Sequence, residues 1–269
     1  MIKTKRVGGV RLFFDPGETE TAEMIAAACE KALQLAHQSW GLEPPADCRV
    51  YVMTSWSRFF FQSAPWPWRV LLAATFPIWS FRARRTWPYS AAWTQRYGSR
   101  VAIGVKPPRL VEKSDRSIGV RMFVEERDQR LNVEQVTCHE LVHACSAHLL
   151  LPMWLNEGIA TLTADRFLGR PVIREDTVGF VRDFQPKGKP PTYRELLRMN
   201  VETIAYHSLR GYWIVRYLEH AQPGFLRELL SVRRDWRTIE AELARLLGIA
   251  PDDLWSKIDG MVAGHFEKA

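Results

Sequence analysis

Cysteine is scarce: Cys29, Cys48, Cys138 and Cys145 are the four in 269 residues, too few at this length for a disulfide scaffold. Long apolar runs are missing too. Within residues 56–93 the longest uncharged, apolar-rich piece, Val70 to Phe81, has twelve residues and contains Pro77, against about twenty needed to cross a bilayer. The N-terminus, MIKTKRVGGVRLFFDPGE, is basic but has no apolar stretch of signal-peptide length, so the expected location is cytoplasmic. No internal repeat or low-complexity tract is visible. The excess of base over acid, +7 with a pI near 9.4, bears on partners and not on chemistry. No nucleic-acid-binding module accompanies it, so nucleic acid is not expected as a partner. A hydrophobic content of 46% with 25% charged residues is that of an ordinary globular chain, long enough to bury a sizeable core in one large domain or two closely packed halves.

What is present is chemically pointed. Residues 139 to 143 read His-Glu-Leu-Val-His. Each helical residue advances about 100°, so His139 and His143 lie about 40° apart on one face, one turn above the other, and both imidazoles reach one ion. Glu140 sits beside that ion without competing for it, where a general base must stand to take a proton from water. Val133, Val136, Leu141, Val142, Ala144, Cys145 and Ala147 wrap the motif in apolar side chains, as a buried helix requires. Two imidazoles and a carboxylate in such surroundings need partners, and metal ligation satisfies them together. Cys138 and Cys145, seven apart on the same helix, are read as small core residues.

The third ligand is a matter of chain reversal. His148, five positions beyond His143, is rotated about 140° from the ligand face. It also misses the spacing in which a third histidine follows six residues after the second, past a glycine. Glu157, in Trp154-Leu155-Asn156-Glu157-Gly158-Ile159-Ala160, would lie about 21 Å from His143 on one straight helix. Pro152 cannot continue that helix. A second helix starting near Pro152 or Met153 runs back beside the first and presents Glu157 to the ion. Three protein ligands with one open position make a catalytic centre, not a closed structural one.

HELVH followed by WLNEGIA resembles the gluzincin metallopeptidases, the group that includes thermolysin and the aminopeptidase N-like enzymes, and most nearly the small bacterial proteins often called peptidase MA-like. The resemblance implies Zn2+ held by His139, His143 and Glu157, Glu140 as general base, and a peptide or protein as substrate. It also implies a run of strand, long helix, strand, active-site helix, glutamate helix and helical tail over most of the chain. The departures are informative. Gluzincins stabilise the oxyanion with a tyrosine or histidine on a later helix, but aligning Tyr217-Leu218 with the family's pair puts Ser208 where tyrosine is expected. Tyr206 or His207 substitutes if the helix begins there, and Tyr212 reads as core packing. Thr161 stands where thermolysin has an aspartate, leaving the partners of the histidines unassigned. No Gly-x-Met-Glu-Asn segment precedes the motif helix, so an aminopeptidase is not implied.

The patterning predicts an α+β fold: a small mixed sheet and long helices in residues 1–150, ending in the motif helix, then a mostly helical half over 151–269, with the metal in the cleft between them. Val10 to Phe14, Arg49 to Met53, Val101 to Val105 and Val120 to Val124 read as strands, either of the last two being the edge that pairs with an extended substrate. Thr19 to Trp40 reads as an amphipathic helix closed by Gly41. The run at 186 to 191 is a loop. Helices are expected at Tyr193 to Met199, Leu209 to Ala221, Gly224 to Val232 and Ile239 to Leu247, with another from Pro251.

Residues 56–93, the heart of an insertion spanning 56–96, hold six of the eleven tryptophans, with Phe59, Phe60, Phe61 and a basic run at Arg82, Arg84 and Arg85. Three readings stand: an aromatic subdomain packed over the cleft, a lid that shapes the substrate pocket, or an aromatic and basic surface resting on anionic lipid as a peripheral membrane contact. For the whole chain the sequence supports a zinc metallopeptidase, an endopeptidase or one of narrow range. The alternative is a zinc-binding protein of the same fold without turnover, acting as a binding or membrane-surface module.

Overall fold

In this computed structural model, residues 2–112, 119–196 and 198–267 are described, the side chains at 82, 85 and 120 excepted. Strand β1 (Lys3–Val7) turns into β2 (Val10–Phe14) through Gly8 and Gly9 at φ 52° and 88°, the positive pair that a two-residue hairpin turn requires. Helix α1 (Thr19–Trp40), closed by Gly41, leads to β3 (Asp47–Val52), parallel to β2. Three short helices follow, α2 (Trp56–Ser63), α3 (Trp66–Ala74) and α4 (Phe76–Thr86). The antiparallel pair β4 (Ala92–Tyr97) and β5 (Arg100–Val105) completes a five-stranded mixed sheet of order β1-β2-β3-β5-β4.

Beyond the sheet the described chain is helical: α5 (Pro108–Val111), α6 (Gly119–Met122), α7 (Gln129–Ser146), α8 (Met153–Leu168), α9 (Thr177–Asp183), α10 (Tyr193–Leu196), α11 (Val201–Ala221), α12 (Phe225–Leu229), α13 (Trp236–Leu247) and α14 (Leu254–Phe266). The expected α+β class is the one found, a small mixed sheet with a mostly helical C-terminal half.

Period-two alternation decides what each sheet face covers. Leu12, Val50, Val52, Val101, Ile103 and Val105 point to α1 and α7, meeting Ile25, Cys29, Val133, Cys138 and Leu141. Phe13, Tyr51, Met53 and Ala102 point the other way and meet Phe59 and Phe60 of α2. Gly104 leaves the room for that: a Cβ there would stand 2.8 Å from Met53 Sδ and 2.9 Å from Phe59. The tryptophan-rich insertion is therefore a layer on the sheet face opposite α7, not a cover or lid over the cleft. All four cysteines are buried and unbridged. Burial pushes the thiols of Cys29, Cys48 and Cys138 up to about 12 and raises that of Cys145 as well.

A second core fills the C-terminal half, where α8 lies against α11. Their contact is backbone to backbone. A Cβ on Gly158 would fall 2.4 Å from the Gly211 carbonyl oxygen, and one on Gly211 2.4 Å from the Trp154 carbonyl oxygen. On the far side of α11, Arg210 and Asp259 form a fully buried pair, Nε to Oδ1 at 2.7 Å, with further Arg210 bonds to the carbonyls of Trp255 (2.6 Å) and Gly188 (2.5 Å). Every donor direction the guanidinium uses has an acceptor, which is what keeps such burial tolerable.

Three expectations are corrected. Val120 to Val124 is not a strand: α6 occupies Gly119–Met122 and only an isolated bridge joins Phe123 to Ile173. Phe123 and Val124 remain exposed, so their β propensity finds no face to bury. Strand β5 is interior, and β4, which the alternation Ala92-Trp93-Thr94-Gln95-Arg96-Tyr97 concealed among tryptophans, is an edge, with β1 at the other end. Helix α11 begins eight residues before Leu209, at Val201, because Asn200 caps it by accepting from Thr203 N at 2.8 Å, while the helix at Tyr193 ends at Leu196.

Alanine favours a helix over glycine by about 1 kcal/mol, yet the space at these glycines reverses the sign. Gly158→Ala and Gly211→Ala are each expected to lose about 1–3 kcal/mol of stability through overpacking. Thermal or urea melts of the two variants check this, and a variant as stable as the parent would mean that the helices are not in backbone contact.

Candidate metal centre

Helix α7 starts at Asp128, whose carboxylate accepts from the backbone N–H of Arg130 (2.8 Å) and Leu131 (3.4 Å), satisfying donors that the first turn leaves free. Cys138, Leu141, Val142, Ala144 and Cys145 are buried, which leaves His139 and His143 on one stripe with their Nε2 atoms 3.0 Å apart. After the helix the chain reverses at Leu150, held at φ 54°, and Pro152, which starts α8 from an extended ψ of 148°. The proline prevents the first helix from continuing, and α8 returns along α7. That reversal delivers Glu157: Oε2 lies 3.5 Å from His139 Nε2, and Oε1 3.5 Å from His143 Nε2.

The fit to a small divalent ion can be tested on these distances. Ligands at about 2.0–2.1 Å from a tetrahedral zinc stand about 3.3–3.4 Å from one another. The separations of 3.0, 3.5 and 3.5 Å bracket that edge, so no ligand has to travel far. Two imidazoles and a carboxylate are a donor set zinc accepts, and among the described residues they are the one group of three His, Cys, Asp or Glu side chains that converges in this way. Burial pushes the Glu157 carboxyl up, but the charge of His143 and bonds from His139 and Tyr193 outweigh it and hold the group at about 2. It is an anion at neutral pH.

Glu140 takes the opposite course. Burial raises its carboxyl, against the pull of His143 and of a hydrogen bond from Thr94, with Glu157 adding a further upward push. Thr94 Oγ1 donates to Glu140 Oε2 at 2.5 Å. This bond comes from β4, whose alternation sends Ala92, Thr94 and Arg96 toward α7, Arg96 reaching the Ala147 carbonyl at 2.7 Å, and sends Trp93 and Tyr97 into the aromatic layer. Glu140 is thus held by β4, the last strand in the sheet order.

A second support reaches Glu157. Ser146 Oγ donates to Asn156 Oδ1 (2.8 Å), Asn156 Nδ2 donates to Tyr193 Oη (2.8 Å), and Tyr193 Oη donates to Glu157 Oε1 (2.7 Å). The single phenolic proton and both ends of the amide are used, so the relay has one consistent direction. Sequence reading did not single out Thr94 or Tyr193. The two converge from 46 and 36 positions away, and no local spacing announces them.

The expected oxyanion donors are elsewhere. Tyr206 is fully buried, stacked on Phe184 at 4.1 Å, with its hydroxyl donated to Asp259 at 2.7 Å. His207 lines a surface cavity of about 620 Å³ with Phe184, Pro186 and Met199. Burial first and the Arg210 charge second push its imidazole down to about 4. Tyr212 is core, bonded to Asp165 at 2.7 Å. His148 is exposed, with a ring nitrogen 2.9 Å from the Cys145 carbonyl oxygen, and takes no part in the cluster.

No protein-family model matches the chain, and no curated protein matches it either.

Asn156 couples the end of α7 to Tyr193, which in turn donates to Glu157. Its replacement by alanine is expected to lower stability by about 1 kcal/mol, the net value of a partly buried hydrogen bond. A urea melt of Asn156→Ala measures this, and an unchanged midpoint would remove the relay from the structure's supports.

Proposed function

We propose that the chain is a zinc-dependent metallopeptidase of the gluzincin type, acting on peptides or proteins. The observation that carries the reading is the convergence of His139, His143 and Glu157 with Glu140 poised beside them on a strand-anchored bond. Zinc bound there supplies a Lewis acid for the scissile carbonyl and lowers the pKa of water to about 7. The chain's own residues do the remaining work. The rim of β4 pairs with the extended substrate backbone and fixes its register against Glu140. Glu140 takes one proton from the attacking water as the carbon–oxygen bond forms, then gives it to the nitrogen as the carbon–nitrogen bond breaks, so the products are a carboxylic acid and an amine.

Tyr193 takes the role that the resemblance assigns to a tyrosine on a later helix. Its hydroxyl is the phenol bonded to the centre, which answers the lack of tyrosine at Ser208. Turning from Glu157 toward the substrate, that donor meets the charge that develops on the carbonyl oxygen.

Two measurements test the reading. Purified protein should hold one zinc per chain by elemental analysis and cleave a peptide library, with cleavage lost to a chelator and restored by zinc. Glu140→Gln should keep the zinc and lose roughly 10²- to 10⁴-fold in kcat. Stoichiometric zinc without any cleavage would favour the binding module over the enzyme, and no bound metal would overturn both. Tyr193→Phe should lower kcat by roughly 10²-fold or more with zinc retained. A fall in zinc affinity alone would make Tyr193 a positioning residue.

A further inference from the structure

Helices α3 and α4 are anchored from beneath and bare above. Trp79 of α4 meets Phe60 at 5.0 Å, Phe76 at 5.2 Å and Trp56 at 5.6 Å, and Leu72 of α3 packs against the aromatic layer. On the other side Trp66, Val70, Leu71, Ile78 and Phe81 are between 51% and 75% exposed, and no residue of α3 is buried. Scattered exposed apolar side chains are ordinary, but five large ones within sixteen residues make a patch of the kind that marks an interaction surface.

Charge decides what covers it. From Cys48 to Val111 the sequence has no aspartate or glutamate, against ten basic residues: Arg49, Arg58, Arg69, Arg82, Arg84, Arg85, Arg96, Arg100, Lys106 and Arg109. Arg49 and Arg100 are paired with Asp47, Arg58 with Asp15 and Arg109 with Glu18. In α3 and α4 themselves, Arg69 bonds to the carbonyls of Ala64 and Gln62, and Arg84 lies over the Trp56 ring at 5.9 Å. An apolar patch on a segment that carries arginine and no acid in its sequence matches a surface that is apolar inside and anionic outside. We infer that the α3–α4 segment seats the protein on an anionic phospholipid bilayer.

Helices of nine and eleven residues are too short to span, and among the described residues no helix is long and apolar enough to cross a membrane. They are suited to lying in the headgroup region with tryptophan at the boundary. Seating there puts lipid on the aromatic side of the sheet and leaves the α7 side, with Thr94 and Glu140, on the other. The inference does not depend on the peptidase reading.

Flotation with vesicles tests it, using phosphatidylcholine alone and phosphatidylcholine mixed equally with phosphatidylglycerol. The parent should float with the anionic vesicles and not with the neutral ones. Ile78→Asp with Phe81→Asp should weaken binding more than roughly tenfold, and Arg84→Gln roughly fivefold. Both variants replace exposed side chains, and circular dichroism and zinc content should be unchanged. Binding to neither vesicle, or equal binding to both, overturns the inference. So does light scattering that finds a dimer broken by Ile78→Asp with Phe81→Asp, because the patch would then belong to a second copy of the chain.

Discussion

The fold's working geometry depends on two helices touching without side chains between them. Glu157 immediately precedes Gly158, the residue at which α8 meets the Gly211 carbonyl of α11. Helices normally pack with axes 8–10 Å apart, set by the side chains at the contact. Removing those side chains lets α11 press α8 toward α7, and the carboxylate one residue along is carried to the imidazoles. The buried pair of Arg210 and Asp259 then ties α11 from behind to α14 and to the 188 loop. The placing of Glu157 beside the two imidazoles is thus set by packing in the C-terminal half, which is why the glutamate helix and its support are inseparable.

The sheet divides its two faces between different tasks. One face, with α1 and α7, holds Glu140 through Thr94; the other, through Trp93, Phe13 and Tyr51, holds the tryptophan layer. Adjacent residues of β4 therefore belong to different environments, and the strand's two-residue period keeps the hydrophilic centre and the aromatic layer apart.

The legible parts of the molecule were those encoded by local spacing. His139, His143 and Glu157 could be brought together on paper because a helical turn and a proline reversal are short-range rules, and the structure places the three together. Strands β2, β3 and β5 and helix α1 were visible for the same reason. The hairpin from β1 to β2 had a signal in Gly8-Gly9 that went unread, and β4 was masked because half of its alternating residues are aromatic. Tyr193 and Thr94 were out of reach: each acts through a contact closed only by tertiary packing. Tyr206 misled for the complementary reason. A tyrosine in the right stretch of α11 faces inward to Asp259, and only the rotation of the helix decides which way it looks.

The four thiols carry one more consequence. Each is enclosed and held in its protonated, unreactive form, so an alkylating reagent in solution meets none of them while the fold is closed. All four lie on α1, β3 and α7, and none occurs after Cys145. Modification of Cys29 and Cys48 would consequently count openings of the layer beneath the sheet, while Cys145, packed among Trp154, Leu155 and Ile159, would count openings of the C-terminal core.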